Sequence, residues 1–171
     1  MVKKYLFNNK GVTLIEILAV VALLTVIGSA SFPFITKVFR DYQEGIVRSS
    51  LFKEVQFIES QLIQVVRNST NIPGENSYLK IDPINPDYYS FYSATDNTEK
   101  YAFKLDGNKL TYVNDSSSFI LSDNVSSFSL NEEGTEVKKL IYTISLSKTD
   151  NGKNIEIKIE NKYIYFPIWT F

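Results

Sequence analysis

The sequence predicts an α+β protein in which one long N-terminal helix packs on an antiparallel β-sheet head. Three observations predict this fold. Residues 17–36 carry no charge, residues 51–66 repeat apolar side chains at helical spacing, and the chain after Pro73 is rich in short β-branched and aromatic runs. A chain of 171 residues suffices for one head and one long helix, and we expect three parts: residues 1–11, 12–36 and 37–171.

The first half of the helix is the uncharged run from Ile17 to Thr36. As an α-helix it would extend about 30 Å, which matches the hydrocarbon core of a bilayer. Lys3, Lys4 and Lys10 precede the run, so the positive-inside tendency places the N-terminus in the cytoplasm. The sequence therefore predicts a single membrane-spanning pass.

The second half of the helix is predicted by an apolar stripe with charged residues between its members. The stripe consists of Leu51, Val55, Ile58, Leu62 and Val66. The helix should end within residues 68–71, because Ile72-Pro73-Gly74 is a strong terminator. Gly28 and Pro33 are its expected points of flexibility, since a proline removes one helical hydrogen bond and clashes with the preceding turn.

Short β-rich runs after Pro73 predict the strands of one antiparallel sheet. They are Tyr78–Ile81, Tyr88–Tyr92, Tyr101–Leu105, Leu110–Val113, Phe119–Leu121, Val125–Leu130, Leu140–Leu146, Ile155–Ile159 and Tyr163–Phe166. Residues 106–108 and 150–152 carry Asp, Asn and Gly and predict two tight hairpin turns. Residues 82–87 predict a loop.

Composition excludes much catalytic chemistry. The chain has no histidine and no cysteine, so it lacks the commonest general base and zinc ligand and forms no disulfide. Glu132-Glu133 is the obvious remaining acid pair, and we interpret it as a solvated turn. The formal charge of −1 gives no indication of nucleic-acid binding. We expect neither an enzyme nor a cofactor, and no metal site, because the two hairpin turns lack the ligand spacing of a calcium loop.

The N-terminus also carries a recognisable motif. A basic segment ends in Gly11 and is followed by Val12-Thr13-Leu14-Ile15-Glu16 and then by the apolar run. This segment resembles the leader and first helix of type IV pilins and type II secretion pseudopilins. The resemblance implies that a prepilin peptidase cleaves after Gly11 on the cytoplasmic side and N-methylates Val12.

Glu16 is the residue for which the resemblance implies a role in assembly. A carboxylate at the mouth of a membrane span is costly unless it has a partner. The resemblance supplies that partner as the α-amino group of Val12 on a neighbouring subunit. It also implies other pilin subunits, an inner-membrane assembly platform and the lipid bilayer as partners, with a membrane location before assembly and a filament afterwards.

A second similarity lies in the head. Residues 101–110 end in Gly107-Asn108-Lys109-Leu110, and residues 121–130 contain Asn124-Val125 and Phe128. This pattern is similar to the Gly-Asn-x-Leu hairpin and the following strand of minor pilins and J-type pseudopilins. It favours a minor subunit over a major one.

Two other readings of the N-terminus stay open. In the first, residues 3–30 are an ordinary signal peptide with a cleavage site at Gly28-Ser29-Ala30, and the remainder is secreted. In the second, the chain keeps its leader as a single-pass anchor for a binding head. The type of filament, whether a pilus, a secretion pseudopilus or a DNA-uptake pseudopilus, also stays open.

Overall fold

The computed structural model describes residues 12–70, 78–93, 99–115, 117–134 and 138–166. Its one described helix, α1, covers Leu14–Asn68 and contains Pro33 without interruption. The predicted helix end within residues 68–71 is therefore confirmed, and the proposed terminator at residues 72–74 lies outside the described residues. The chain divides into two units, Met1–Gln43 and Glu44–Phe171, and α1 contributes to both.

The second unit contains the described strands, whose bounds follow in chain order. They are β1 Ser69–Thr70, β2 Leu79–Ile81, β3 Tyr88–Ser93, β4 Glu99–Asp106, β5 Lys109–Asn114, β6 Ser117–Ser122, β7 Val125–Glu133, β8 Lys139–Asp150 and β9 Lys153–Tyr165. All their pairings are antiparallel. The predicted α+β class, with a long N-terminal helix and antiparallel strands, is confirmed.

The described strands are antiparallel as predicted, and they form two sheets rather than a single one. A six-stranded sheet has the order β1-β3-β4-β5-β6, with β2 also paired to β3, and a three-stranded sheet has the order β7-β8-β9. The break falls at the short link between β6 and β7, where the Val125 amide donates to the Asn108 carbonyl at 2.9 Å. The Ser147 amide donates to the Asn124 carbonyl at 2.8 Å. These bonds hold the link between the β4–β5 turn and β8.

Both predicted hairpin turns are confirmed as two-residue connections. Gly107 has a φ of 62°, whereas Asn151 and Gly152 have φ values of 48° and 78°. Two successive positive φ angles define the type I′ turn, which matches the twist of the strands that it joins. The Asn-Gly pair therefore fits the geometry that β8 and β9 require.

The runs Ile155–Ile159 and Tyr163–Phe166, predicted as two strands, belong largely to the single strand β9. The pairing with β8 shifts between Tyr142 and Ile144, and Asn161 opposite this shift has a φ of 51°. Asparagine tolerates this left-handed conformation, so a bulge rather than a turn separates the two apolar runs.

The predicted apolar stripe of α1 lies in the core of the second unit. All five of its members, together with Val65, are buried. They form one cluster with the inward side chains of both sheets, including Phe91, Phe103, Leu130 and Ile144. This burial, rather than intrinsic helix propensity, accounts for the stability of the second half of α1.

Candidate functional site

The start of α1 is closed by a reciprocal pair of side chains, Thr13 and Glu16. The Thr13 amide donates to Glu16 Oε2 at 2.8 Å, and Thr13 Oγ1 donates to the same oxygen at 2.9 Å. In the opposite direction the Glu16 amide donates to Thr13 Oγ1 at 3.4 Å. Thr13 is thus the N-cap, and Glu16 occupies the third helical position of a capping box.

This capping box was missed when the sequence was interpreted, although its signal is present. A Thr three residues before a Glu, directly ahead of an apolar run, is its typical pattern. The box gives Glu16 a second role, because its carboxylate fixes the helix start within its own chain. Any experiment on Glu16 must therefore separate helix capping from charge.

The first unit presents a helix surface that is uncharged from Ile17 to Thr36 and largely apolar there. Every residue from Val12 to Gln43 is exposed, with Leu14 at 76% and Ile15 at 75%. An 18-residue window of α1 reaches a mean hydropathy of 2.2, and by length and composition the helix can cross a membrane. Water does not stabilise such a surface, so this segment requires lipid or other helices around it.

Gly28 and Pro33 lie inside the continuous part of α1. A Cβ added at Gly28 would meet no atom within 4 Å, so its own chain gives no steric reason for glycine there. Pro33 cannot donate to the carbonyl of Ser29, and nearby Thr36 Oγ1 donates to the Pro33 carbonyl at 2.9 Å. Flexibility at both positions stays a prediction.

The proposed cleavage point is only half described. Val12 is the first described residue and is 71% exposed, whereas Gly11 and the leader lie outside the described residues. The predicted roles of Gly11 in cleavage and of Val12 in methylation therefore stay predictions.

Carboxylates on the second half of α1 attach the helix to the strands. Glu54 accepts a hydrogen bond from Ser122 Oγ at 2.7 Å and from Asn124 Nδ2 at 3.1 Å. Asn108 Nδ2 in turn donates to the Asp123 carbonyl. Asn108 and Asn124 are the two asparagines of the pattern noted in the head sequence, and both hold the link between the two sheets.

Two further carboxylates of α1 bind the three-stranded sheet. Glu59 Oε1 accepts a hydrogen bond from Tyr142 Oη at 2.7 Å and pairs with Lys162 Nζ at 3.1 Å. Burial, reinforced by this hydrogen bond, raises the pKa of the Tyr142 phenol. Glu44 pairs with Lys153, and the hydrogen bond from this lysine holds the pKa of Glu44 below its usual value.

The interpretation of Glu132-Glu133 as a solvated turn is wrong. Both residues belong to β7. The side chain of Glu132 is 10% exposed, and its carboxylate binds Lys138 Nζ at 2.9 Å and the Tyr78 amide at 2.7 Å. Glu133 pairs with Lys139 at 3.0 Å. These partners give the two acids structural roles.

The described residues contain no group of three or more His, Cys, Asp or Glu side chains that could hold a metal ion.

Comparison with known proteins identifies the N-terminal motif. Residues 6–32 match the family model described as the prokaryotic N-terminal methylation motif. The chain thus carries a prepilin-type segment, which supports a pilin-like subunit rather than an enzyme. No curated protein and no solved structure matches the chain, so its similarity to pilins rests on this segment and on the α+β architecture.

Proposed function

We propose that this protein is a structural subunit of a type IV pilus or a related secretion or DNA-uptake filament. The observation that carries the proposal is the methylation motif at residues 6–32 joined to the exposed, largely apolar first part of α1, which ends near Gln43. This helix lies in the membrane before assembly, and in the filament neighbouring helices replace the lipid around it. The Asn108 and Asn124 motif favours a minor subunit or pseudopilin.

A prepilin peptidase cleaves between Gly11 and Val12 and methylates the new N-terminus at Val12. The N-terminal mass of the protein from native membranes tests this step. A chain that starts at N-methyl-Val12 supports the proposal. A chain that starts at Ser31 would mean an ordinary signal peptide, and an uncut chain would mean a plain membrane anchor.

Glu16 pairs with the amino group of Val12 on the adjacent subunit during assembly. Because Glu16 also closes the capping box, three variants are needed to separate the two roles. Glu16→Gln keeps an acceptor for Thr13 and removes the charge, Thr13→Ala removes the cap and keeps the charge, and Glu16→Ala removes both.

We expect Glu16→Gln and Glu16→Ala to lose incorporation into sheared filaments while retaining membrane insertion and leader cleavage. Thr13→Ala should retain most incorporation, because the cost of a lost N-cap is only about 1 kcal/mol. Normal incorporation of Glu16→Gln would rule out the charge pairing. Failure of Thr13→Ala alone would assign the role to helix capping instead.

A further inference from the structure

The three-stranded sheet has one face turned away from the core, here named the outer face. Buried Phe128, Leu130, Ile144 and Leu146 point into the core, so the alternate residues lie on the outer face. These are Ser127, Ser129, Asn131 and Glu133 on β7, Lys139, Ile141, Thr143, Ser145 and Ser147 on β8, and Glu156, Lys158, Tyr163 and Tyr165 on β9; Ser145 alone among them is buried. Small hydroxyl-bearing side chains occupy its middle, and two tyrosines stand at one end.

The two tyrosines form an exposed aromatic platform. Tyr163 is 59% exposed and Tyr165 is 58% exposed, with their ring centroids 5.4 Å apart. Lys139 Nζ lies 5.9 Å from the centroid of the Tyr163 ring. Lys139 also pairs with Glu133 at 3.0 Å, and this interaction raises the pKa of Lys139. The ring of Tyr163 is thus held in place by neighbours while much of its surface stays open.

Polar groups continue from this platform across the sheet. The register places Asn131 beside Ile141 and Ile141 beside Tyr163, in one row across all three strands. The next row brings Ser129 beside Thr143. At a strand spacing of about 4.8 Å, the distance from Tyr163 to Asn131 is about 10 Å, which is the length of roughly two hexose rings.

From this arrangement we propose that the outer face binds a neutral polysaccharide across the Tyr163–Ile141–Asn131 row. The C–H groups on one face of a pyranose ring are attracted to the negative face of a tyrosine ring, while its hydroxyls bond to Asn, Ser and Thr side chains. An apolar protein surface fits less well, because it would bury these hydroxyl groups without partners.

Charge on the outer face also favours a neutral occupant. Its two lysines are each paired with a glutamate of the same sheet, Lys139 with Glu133 and Lys158 with Glu160. Glu156, opposite Ser147, adds a further negative charge. An anionic polymer would therefore meet no unpaired cation among the described residues of this face.

Saturation-transfer NMR and calorimetry with cellohexaose and chitohexaose test the inference, with hexagalacturonate as the anionic counterpart. The full chain is held in a polyoxyethylene detergent, because maltoside headgroups would compete. We expect one of the neutral hexasaccharides to bind and hexagalacturonate to bind more weakly. Tyr163→Ala should weaken binding about threefold to tenfold, while Tyr163→Phe retains it.

Tyr42→Ala is the matched control, because Tyr42 is 68% exposed and lies on α1 outside the outer face. Its binding should equal that of the parent protein. Equal binding by Tyr163→Ala, or no binding of either neutral hexasaccharide, would overturn the inference. If neither sugar binds and the parent protein forms a dimer that Tyr163→Ala abolishes, the outer face is instead a contact between two copies of the chain. The inference is independent of filament assembly, so failure of one leaves the other standing.

Discussion

Removing the Glu54 carboxylate should loosen the attachment of α1 to the link between the two sheets. In Glu54→Ala, Ser122 Oγ loses a bond of 2.7 Å and Asn124 Nδ2 loses one of 3.1 Å. Ser122 is 5% exposed, so water replaces its lost partner poorly. A hydrogen bond to a charged group contributes about 1.5–3 kcal/mol, and part of this loss is recovered at half-buried Asn124.

We therefore expect Glu54→Ala to lower the free energy of unfolding of the head by about 2–3 kcal/mol. For a unit of this size, that loss corresponds to a decrease of about 10 °C in Tm. The assay is thermal unfolding of the full chain in detergent, followed by circular dichroism of the strands. Ser122→Ala in the Glu54→Ala background should cost much less than in the parent protein, because the two residues share one interaction.

Lys53→Ala is the matched control for this prediction. Lys53 is the exposed neighbour of Glu54 on the same helix, and its replacement by alanine makes a similar small gain in helix propensity. Its effect should stay within about 0.5 kcal/mol. A Glu54→Ala loss no larger than that of Lys53→Ala would refute the idea that the carboxylate joins α1 to the strands.

Three other changes give predictions on the same assay. Tyr142→Phe should lower Tm at pH 7, because the hydrogen bond to Glu59 is lost. Folding raises the pKa of Tyr142 above its unfolded value of about 10, so the stability that this bond contributes is fully present below pH 10 and is lost at higher pH. The difference in Tm between Tyr142→Phe and the parent protein should therefore shrink above pH 10. A constant difference up to pH 11 would contradict this account. Asn151→Ala should lower the free energy of unfolding by about 1 kcal/mol, because alanine has a Cβ but no polar side chain that could form a local hydrogen bond at a φ of 48°. Asn151→Gly should change it very little, because glycine adopts this φ without strain. Equal costs of the two substitutions would exclude turn strain as the cause. Leu62→Ala should cost about 2–5 kcal/mol, because Leu62 is fully buried in the core cluster, and Leu14→Ala on the exposed segment should leave head unfolding unchanged.

The sequence was most informative where a periodic pattern and a strong local signal coincide. The stripe from Leu51 to Val66 repeats over four turns and is bounded by Pro73, so the second half of α1 and its buried face were predictable. The Asp106-Gly107-Asn108 and Asp150-Asn151-Gly152 turns were predictable because positive φ angles have a narrow residue preference.

The partition into two sheets could not be predicted in the same way. It depends on hydrogen bonds such as the one from the Val125 amide to the Asn108 carbonyl. Such bonds join residues that are distant in the chain, and they produce no periodic pattern in the sequence. The sequence around Asn161 likewise predicted a break between two strands, because a polar residue between two apolar runs fits a turn as well as a bulge. The partners of Glu54, Glu59 and Glu132 required the three-dimensional fold.

The chemistry of the N-terminus was predicted only in part. Glu16 was recognised from its position before an apolar run, but its bond to Thr13 was overlooked. Both interpretations use the same carboxylate, and only a variant that keeps the acceptor and removes the charge distinguishes them.

The long sequence distances bridged by the carboxylates of α1 have a consequence for biogenesis. Glu44 and Glu59 bind Lys153 and Lys162, more than a hundred positions later in the chain. The head therefore cannot complete its closure around α1 until β9, the last of the described strands, has left the ribosome, and such distant pairings fold slowly. A chain interrupted before β9 would lack Ile155 and the other core contacts of that strand and would leave the apolar core incompletely covered, so quality-control proteases should remove truncated chains early.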